Sequence, residues 1–215
     1  MEIISHRGIW HLEHEKNHQV AFSRAFESGF GVETDLRDYS GEVVISHDLP
    51  NSNCMTLESF FDLYKNETEN IPNKPTLALN IKSDGLHNMI YSTLKKYAIE
   101  NYFVFDMSVP DSRLYIDIGI NTFTRQSEYE TAPSFYSETS GVWLDCFEGR
   151  WFSNEIIEKH KKAEKKICIV SPELHNRNDF ESEQWYYLKH FCDHSKLMIC
   201  TDLPNQAEEY FNARN

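Results

Sequence analysis

His6-Arg7-Gly8, Glu33-Thr34-Asp35 and Ser46-His47-Asp48 are the clusters of this chain best suited to chemistry. Each ends or follows a short apolar run, so each reads as side chains presented at the tip of a β-strand. Together they hold two histidines that exchange protons near neutrality and two carboxylates suited to a hard cation. They also hold an arginine whose forked donors match phosphate oxygens. Glu33 and Asp35 lie two apart on an extended segment, so they point to one side and Thr34 to the other. Two inward carboxylates repel unless something cationic lies between them. A divalent cation meets that need, Mg²⁺ or Ca²⁺ first and Mn²⁺ as a further candidate. Salt bridges to Arg7, Arg37 or Lys82 meet it equally well, and the two carboxylates alone do not choose. His6 and His47 move the balance. Hydrolysis of a phosphodiester needs charge neutralisation, an activated nucleophile and a proton for the departing alkoxide, and this inventory supplies all three.

Short apolar runs and helical patterns alternate along the chain to position these groups. Strands are expected at Ile3–Ser5, Gly31–Leu36, Thr76–Ile81, Tyr102–Phe105, Asn121–Thr124, Gly141–Leu144, Ile167–Val170 and Leu197–Cys200. Val43–Ser46 reads as a hairpin partner of the second strand, joined through the Ser40-Gly41 turn. Asn17 offers a cap for an amphipathic helix through Val20, Phe22, Ala25 and Phe26, which Gly29 closes. Further helices are expected at Leu57–Tyr64, Leu86–Tyr97, Asp111–Ile116, Asn154–Ala163, Glu181–His190 and Asn205–Asn212, and one within the polar stretch Gln126–Ser140. Eight strands, most followed by a helix, predict parallel pairing and an α/β fold, a (β/α)8 barrel formed as one domain over residues 1–215. A doubly wound open sheet competes, but no Gly-rich loop follows the first strand. In a barrel the C-terminal strand ends share one face. That expectation gathers His6, Arg7, Glu33, Asp35, Asn80, Lys82, Asp106, Arg125, Asp145, Glu173 and Asp202.

Bulk properties narrow the partners. The formal net charge is −13, and no basic run exceeds Lys159-His160-Lys161-Lys162 and Lys165-Lys166, which read as a solvated helix face. Nucleic acid is therefore not an expected partner. The 14 Phe, 11 Tyr and 4 Trp argue against disorder. Five scattered cysteines without CxxC spacing read as reduced thiols, buried at Cys146, Cys168 and Cys200. No apolar run reaches membrane-spanning length, and the first strand begins at once, so no integral membrane association is expected and the chain reads as soluble and cytoplasmic. Trp10, Trp143, Phe147 and Trp151 fall near strand ends, where they are candidates to stack on a sugar or another flat apolar face, with packing expected for at least half of them. The oligomeric state is left open.

These motifs, in this order, resemble the glycerophosphodiester phosphodiesterases. Members carry an HRG element, an E-x-D element on the second strand, an HD element after a hairpin turn and an E-x-K element on the third strand. The matches here are His6-Arg7-Gly8, Glu33-Thr34-Asp35, His47-Asp48 and Asn80-Ile81-Lys82. Weaker matches continue in Phe123-Thr124-Arg125, Ser171-Pro172-Glu173-Leu174-His175 and Thr201-Asp202-Leu203-Pro204. The resemblance implies a phosphodiesterase-type (β/α)8 barrel that uses one divalent cation to hydrolyse a small glycerophosphodiester-like, sugar or polyol phosphodiester. By it, His6 and His47 match the acid–base pair, and Glu33, Asp35 and Asn80 the metal positions. Arg7 and Lys82 match positions that hold phosphoryl oxygens. Arg125 is a further candidate for an anionic group, or else an ion-pair partner of Glu128 or Glu130. Asp145 and Glu173 are possible auxiliary ligands.

Three departures stand out. Asn80 replaces the family's third-strand carboxylate, which predicts weaker cation affinity. The Pro-Glu-Asn-Thr element is reduced to Glu15-Lys16-Asn17-His18. The subdomain often found after the HD element shrinks to the segment Leu49 to Pro75. Two other functions fit the same residues: lyase-type cleavage that releases a cyclic phosphate, and a phosphodiester-binding module that has lost catalysis.

Overall fold

The apolar runs form strands β1 (Glu2–His6), β2 (Gly31–Tyr39), β3 (Glu42–Ile45), β4 (Leu77–Ile81), β5 (Tyr102–Phe105), β6 (Phe123–Gln126), β7 (Gly141–Leu144), β8 (Lys166–Val170) and β9 (Leu197–Thr201). The structure is a computed structural model that describes residues 1–177 and 183–212. The chain divides into two units, Ser5–Thr122 and Met1–Ile4 with Phe123–Asn215.

In the unit Ser5–Thr122 the strand order is β1, β2, β4, β5. β2 pairs in parallel with β4 from Val32↔Leu77 to Leu36↔Ile81, and β4 pairs in parallel with β5. β3 lies antiparallel on β2, from Leu36↔Ile45 to Tyr39↔Glu42, as the hairpin reading requires. An isolated parallel bridge, Val104↔Thr122, extends pairing beyond β5. β4 and the first six residues of β2 are buried throughout rather than alternately, the pattern of parallel strands covered on both faces. The helices are α1 (Gln19–Glu27), α2 (Leu57–Glu67), α3 (His87–Lys96) and α4 (Val109–Asp117). Ala21, Phe22, Ala25 and Phe26 form the buried face of α1. Phe22 meets Phe60 of α2 edge-on, with centroids 4.7 Å apart. The cap of α1 is His18 rather than Asn17, and it makes no side-chain capping bond. The Asn17 side chain is engaged elsewhere, as described below.

In the other unit the order is β1, β9, β8, β7, β6, with parallel pairing along β9, β8, β7 and β6. Its helices are α5 (Asn154–Lys162), α6 (Trp185–Leu188) and α7 (Pro204–Asn212). The helix expected between β6 and β7 does not form; residues 127–140 are bends and turns. Side chains there take up backbone groups that a helix would need. Thr124 Oγ1 donates to the Ser134 carbonyl at 2.7 Å, Gln126 Nε2 donates to the Thr131 carbonyl at 2.9 Å, and Ser127 Oγ accepts from Tyr129 and Glu130 N–H. The start of the predicted helix Glu181–His190 lies outside the described residues. Its described part is α6 and the 3-10 turn Lys189–Phe191. Lys165 departs from the solvated basic face: it is buried, with Nζ donating to the carbonyls of Thr139 and Ser137. Cys54, Cys146, Cys168, Cys192 and Cys200 are all thiols outside any disulfide, and Cys146, Cys168 and Cys200 are buried. Among the described residues no helix is long and apolar enough to cross a membrane.

Candidate functional site

The β1–α1 connection is built on a tight pair of left-handed residues, Arg7 at φ 60° and Gly8 at φ 85°. A Cβ on Gly8 would fall 2.6 Å from the backbone carbon of Ala21, so only glycine lets the turn press against α1. Arg7 N donates to the Glu33 carbonyl at 2.9 Å, which ties the turn to β2. This places His6 and Arg7 over the carboxylates of β2. His6 Nε2 stands 3.9 Å from Glu33 Oε2, and Arg7 Nε stands 3.1 Å from Asp35 Oδ2.

Glu33, Asp35 and Asn80 are all buried. The register sets Asp35 beside Asn80 on the neighbouring strand. Lys82, just past the end of β4, places Nζ 3.6 Å from Asp35 Oδ1 and 3.4 Å from Asp106 Oδ2. Both readings of the carboxylate pair therefore keep support. Arg7 and Lys82 do pair with Asp35, while Arg37 instead donates to the carbonyls of His47 and Lys82. One oxygen each on Glu33 (Oε2), Asp35 (Oδ1) and Asn80 (Oδ1) is buried and accepts no hydrogen bond. Burial and the Asp35 charge push the Glu33 carboxyl well above its ordinary value, against the pull of His6, Arg7 and Lys82. Three buried oxygens with unspent lone pairs, two of them on carboxylates, fit a hard divalent cation. Among the described residues no three His, Cys, Asp or Glu side chains gather as a metal site. A cation here would rest on two carboxylates and the Asn80 amide.

Asn17 is the site residue whose role its sequence position disguised. At φ 58° it turns its amide inward, donating from Nδ2 to Asp35 Oδ2 at 2.8 Å and accepting at Oδ1 from Thr34 Oγ1 at 2.8 Å. Its backbone N–H donates to the Arg7 carbonyl at 3.1 Å. One amide thus holds Asp35 Oδ2, while Oδ1 faces the Lys82 ammonium at 3.6 Å. The signal available was the asparagine retained in the reduced Glu15-Lys16-Asn17-His18 element.

His47 arrives on the β2–β3 hairpin. Ser46 N donates to the Asp35 carbonyl at 2.9 Å, and Arg37 Nε donates to the His47 carbonyl at 3.0 Å. The His47 side chain is 46 % exposed, with Nδ1 2.9 Å from Asp48 Oδ1. That bond assigns the first ring proton to Nδ1 and leaves Nε2 for proton traffic. A cavity of about 580 Å³ opens beside it, with Arg7, Asn17 and His47 in its wall.

Arg125, Asp145 and Glu173 belong to the other unit, and each is bound within it. Arg125 Nε pairs with Glu130, so the ion-pair alternative forms. Asp145 Oδ1 accepts from Cys146 N–H at 2.8 Å and meets His175 Nε2 at 2.7 Å. Glu173 accepts from Ser171 Oγ, Thr201 Oγ1 and Asp202 N–H. Of the aromatic residues, Trp143 is buried, and Trp151 Nε1 donates to the Asp145 carbonyl at 2.6 Å. The Phe147 ring packs on His175 at 4.8 Å, and Lys16 Nζ lies 4.1 Å over the half-buried Trp10 ring.

No family model matches the chain, and a search of curated proteins found no match. Solved structures do match. The glycerophosphodiester phosphodiesterase of Agrobacterium tumefaciens str. C58 superposes with a TM-score of 0.69 at 14 % identity, covering 99 % of this chain and 100 % of that one. A Silicibacter pomeroyi DSS-3 structure described as a glycerophosphoryl diester phosphodiesterase gives 0.73 at 11 % identity, over 99 % and 93 % of the two chains. An Oleispira antarctica phosphodiesterase in complex with the product sn-glycerol-3-phosphate gives 0.68 at 15 % identity, over 99 % and 97 %. The chain has the (β/α)8 barrel fold of these phosphodiesterases, with eight parallel strands and helices between most of them.

Proposed function

We propose that the protein is a metal-dependent phosphodiesterase of the glycerophosphodiester phosphodiesterase kind, hydrolysing a small glycerophosphodiester-like, sugar or polyol phosphodiester. The observation that carries this reading is the convergence of His6, Arg7, Glu33, Asp35 and Lys82 in one unit around carboxylate and amide oxygens with unspent lone pairs. The fold shared with known phosphodiesterases supports it. Mg²⁺ or Ca²⁺, with Mn²⁺ as a substitute, would be held by Glu33, Asp35 and Asn80. When bound, such a cation neutralises charge on the phosphoryl oxygens.

The protein's own side chains do the rest. Arg7 and Lys82 take phosphoryl oxygens as donors, each already turned toward Asp35. His6, its Nε2 3.9 Å from Glu33 Oε2, takes the proton from the attacking oxygen. His47, its ring braced by Asp48 at Nδ1, gives a proton from Nε2 to the departing alkoxide. Arg125, ion-paired with Glu130 in the other unit, is a further candidate for an anionic group. The five reduced thiols suit a reducing, cytoplasmic setting. The acidic surface favours a small-molecule substrate over nucleic acid.

The test is turnover of an aryl phosphodiester with Mg²⁺, Ca²⁺ and Mn²⁺ in turn. His6→Ala and His47→Ala should each lower turnover by roughly 10²–10⁴-fold, the usual contribution of one acid or base, with melting temperatures unchanged. Retained turnover in both variants overturns the reading. Phosphorus NMR of the product separates an open monoester, expected here, from a cyclic ester.

A further inference from the structure

The cavity beside His47 is walled by two short segments, 13–19 ahead of and opening α1 and 45–55 after the hairpin. Proton transfer and phosphate binding use only Arg7 and His47 of this wall, so most of it is left to meet something else. At about 580 Å³ it falls within the roughly 300–1,000 Å³ of small-molecule sites, with room for more than a three-carbon alcohol.

The chemistry of the wall is neutral despite its charges. Arg7 pairs with Asp35 at 3.1 Å, Lys16 Nζ with Glu13 Oε2 at 2.9 Å, and His47 with Asp48 at 2.9 Å. The wall also carries the amides of Gln19, Asn51 and Asn53, beside that of Asn17, which Asp35 and Thr34 occupy. Asn51 Oδ1 accepts from Asn53 N–H at 2.9 Å, which folds the segment so that both asparagines line the cavity. Ile45 N–H donates to the Met55 carbonyl at 2.8 Å and fixes that segment against β3.

A primary amide offers a donor and an acceptor together, and so does a hydroxyl. A wall rich in amides with its charges paired therefore matches a polyhydroxyl surface. A quaternary ammonium carries no hydrogen-bond donor or acceptor for these amides, and no aromatic cage lines this cavity among the described residues. An acyl chain would strip water from the amides and return no hydrogen bonds.

We propose that this cavity receives the alcohol moiety of the diester, and that the moiety is a neutral polyhydroxyl group of sugar or cyclitol size. The inference rests on the phosphodiesterase reading for the position of the phosphate. Gln19 and Asn53, both exposed on the wall, would select the alcohol by hydrogen bonding to its hydroxyls.

Calorimetric titration in millimolar Mg²⁺ tests this with three monoesters: myo-inositol 1-phosphate, phosphocholine and octyl phosphate. The inositol ester should bind about tenfold more tightly than either other, the worth of one or two hydrogen bonds. In the double variant Gln19→Leu/Asn53→Leu the preference should shrink to within about threefold. Equal affinities, a tighter choline or octyl ester, or no binding of any monoester overturns the proposal, and the wild-type ranking decides this even if the variant misfolds. A preference unchanged in a folded variant overturns the assignment of Gln19 and Asn53. Aryl diester turnover by the same sample reports on hydrolysis alone, so failure of that reading is told apart from failure of this one.

Discussion

Replacing Asn17 with alanine removes two 2.8 Å hydrogen bonds at once, one to the buried Asp35 carboxylate and one from the buried Thr34 hydroxyl. A bond to a charged group contributes about 1.5–3 kcal/mol and a neutral one about 0.5–1.5, so their joint loss costs about 2–4 kcal/mol. Alanine carries a second cost. Asn17 sits at φ 58°, where a side chain with a Cβ pays about 1–2 kcal/mol that glycine does not. Asn17→Ala should therefore lose about 3–6 kcal/mol in urea unfolding, and Asn17→Gly about 1–2 kcal/mol less. Both variants should also show a smaller rise in melting temperature on adding Mg²⁺, because Asp35 Oδ2 would then be held only by Arg7. A loss below about 1 kcal/mol for alanine, equal losses for the two variants, or an undiminished Mg²⁺ response would refute the view that this amide positions the carboxylate.

Asn80→Asp places a third carboxylate beside Glu33 and Asp35, so the metal-free variant should melt lower than the parent while gaining a larger stabilisation from millimolar Mg²⁺. An unchanged Mg²⁺ response in differential scanning fluorimetry would remove position 80 from the cation site. Gly8→Ala forces a Cβ to 2.6 Å from the Ala21 backbone at φ 85°. It should cost roughly 2–4 kcal/mol in chemical denaturation, and a neutral result would mean that the turn relaxes freely. His160 is buried between Tyr136 and Gln126, and burial, aided by the Lys159 and Lys165 charges, lowers its pKa to about 4. The unfolded chain takes up that proton near pH 6.5, so this contribution is complete above pH 6.5 and is lost as pH falls toward 4. It amounts to roughly 3 kcal/mol. Urea midpoints for the parent and His160→Gln should converge across that window, and parallel curves would contradict the assignment.

The strand tips were readable because burial on both faces of a parallel strand leaves an uninterrupted apolar run, and a polar residue then marks its end. β5 and β7 match their expected bounds, and β2 carries Glu33 and Asp35 as the two-residue period requires. The misread places were those where a side chain, rather than the backbone pattern, decides the conformation. Asn17 has the composition of a helix cap, yet its amide serves Asp35 and Thr34 across a loop, a tertiary contact that local sequence does not encode. A helix was expected within the polar stretch Gln126–Ser140, but Ser127, Gln126 and Thr124 bind the backbone first. Lys165 looked like part of a charged face because burial of its ammonium depends on carbonyls some 26 to 28 residues away in sequence. Arg125 and Asp145 sit at the strand ends as expected, and their partners Glu130 and His175 within the same unit are brought to them by the fold.

The antiparallel hairpin has one more consequence, which concerns insertions and deletions. Its pairing runs outward from Leu36↔Ile45 to Tyr39↔Glu42, and His47 is located by counting inward from that ladder to the bond between Ser46 and Asp35. The two arms act as a ruler whose zero lies beside the carboxylates and whose far end is the Ser40-Gly41 turn. Residues added at that far end lengthen the ruler without moving its zero. A single residue deleted from either arm slips the ladder and turns the histidine to the opposite face. The tip is thus where this chain can accept a tag or a decoration, and the arms are where its length cannot change.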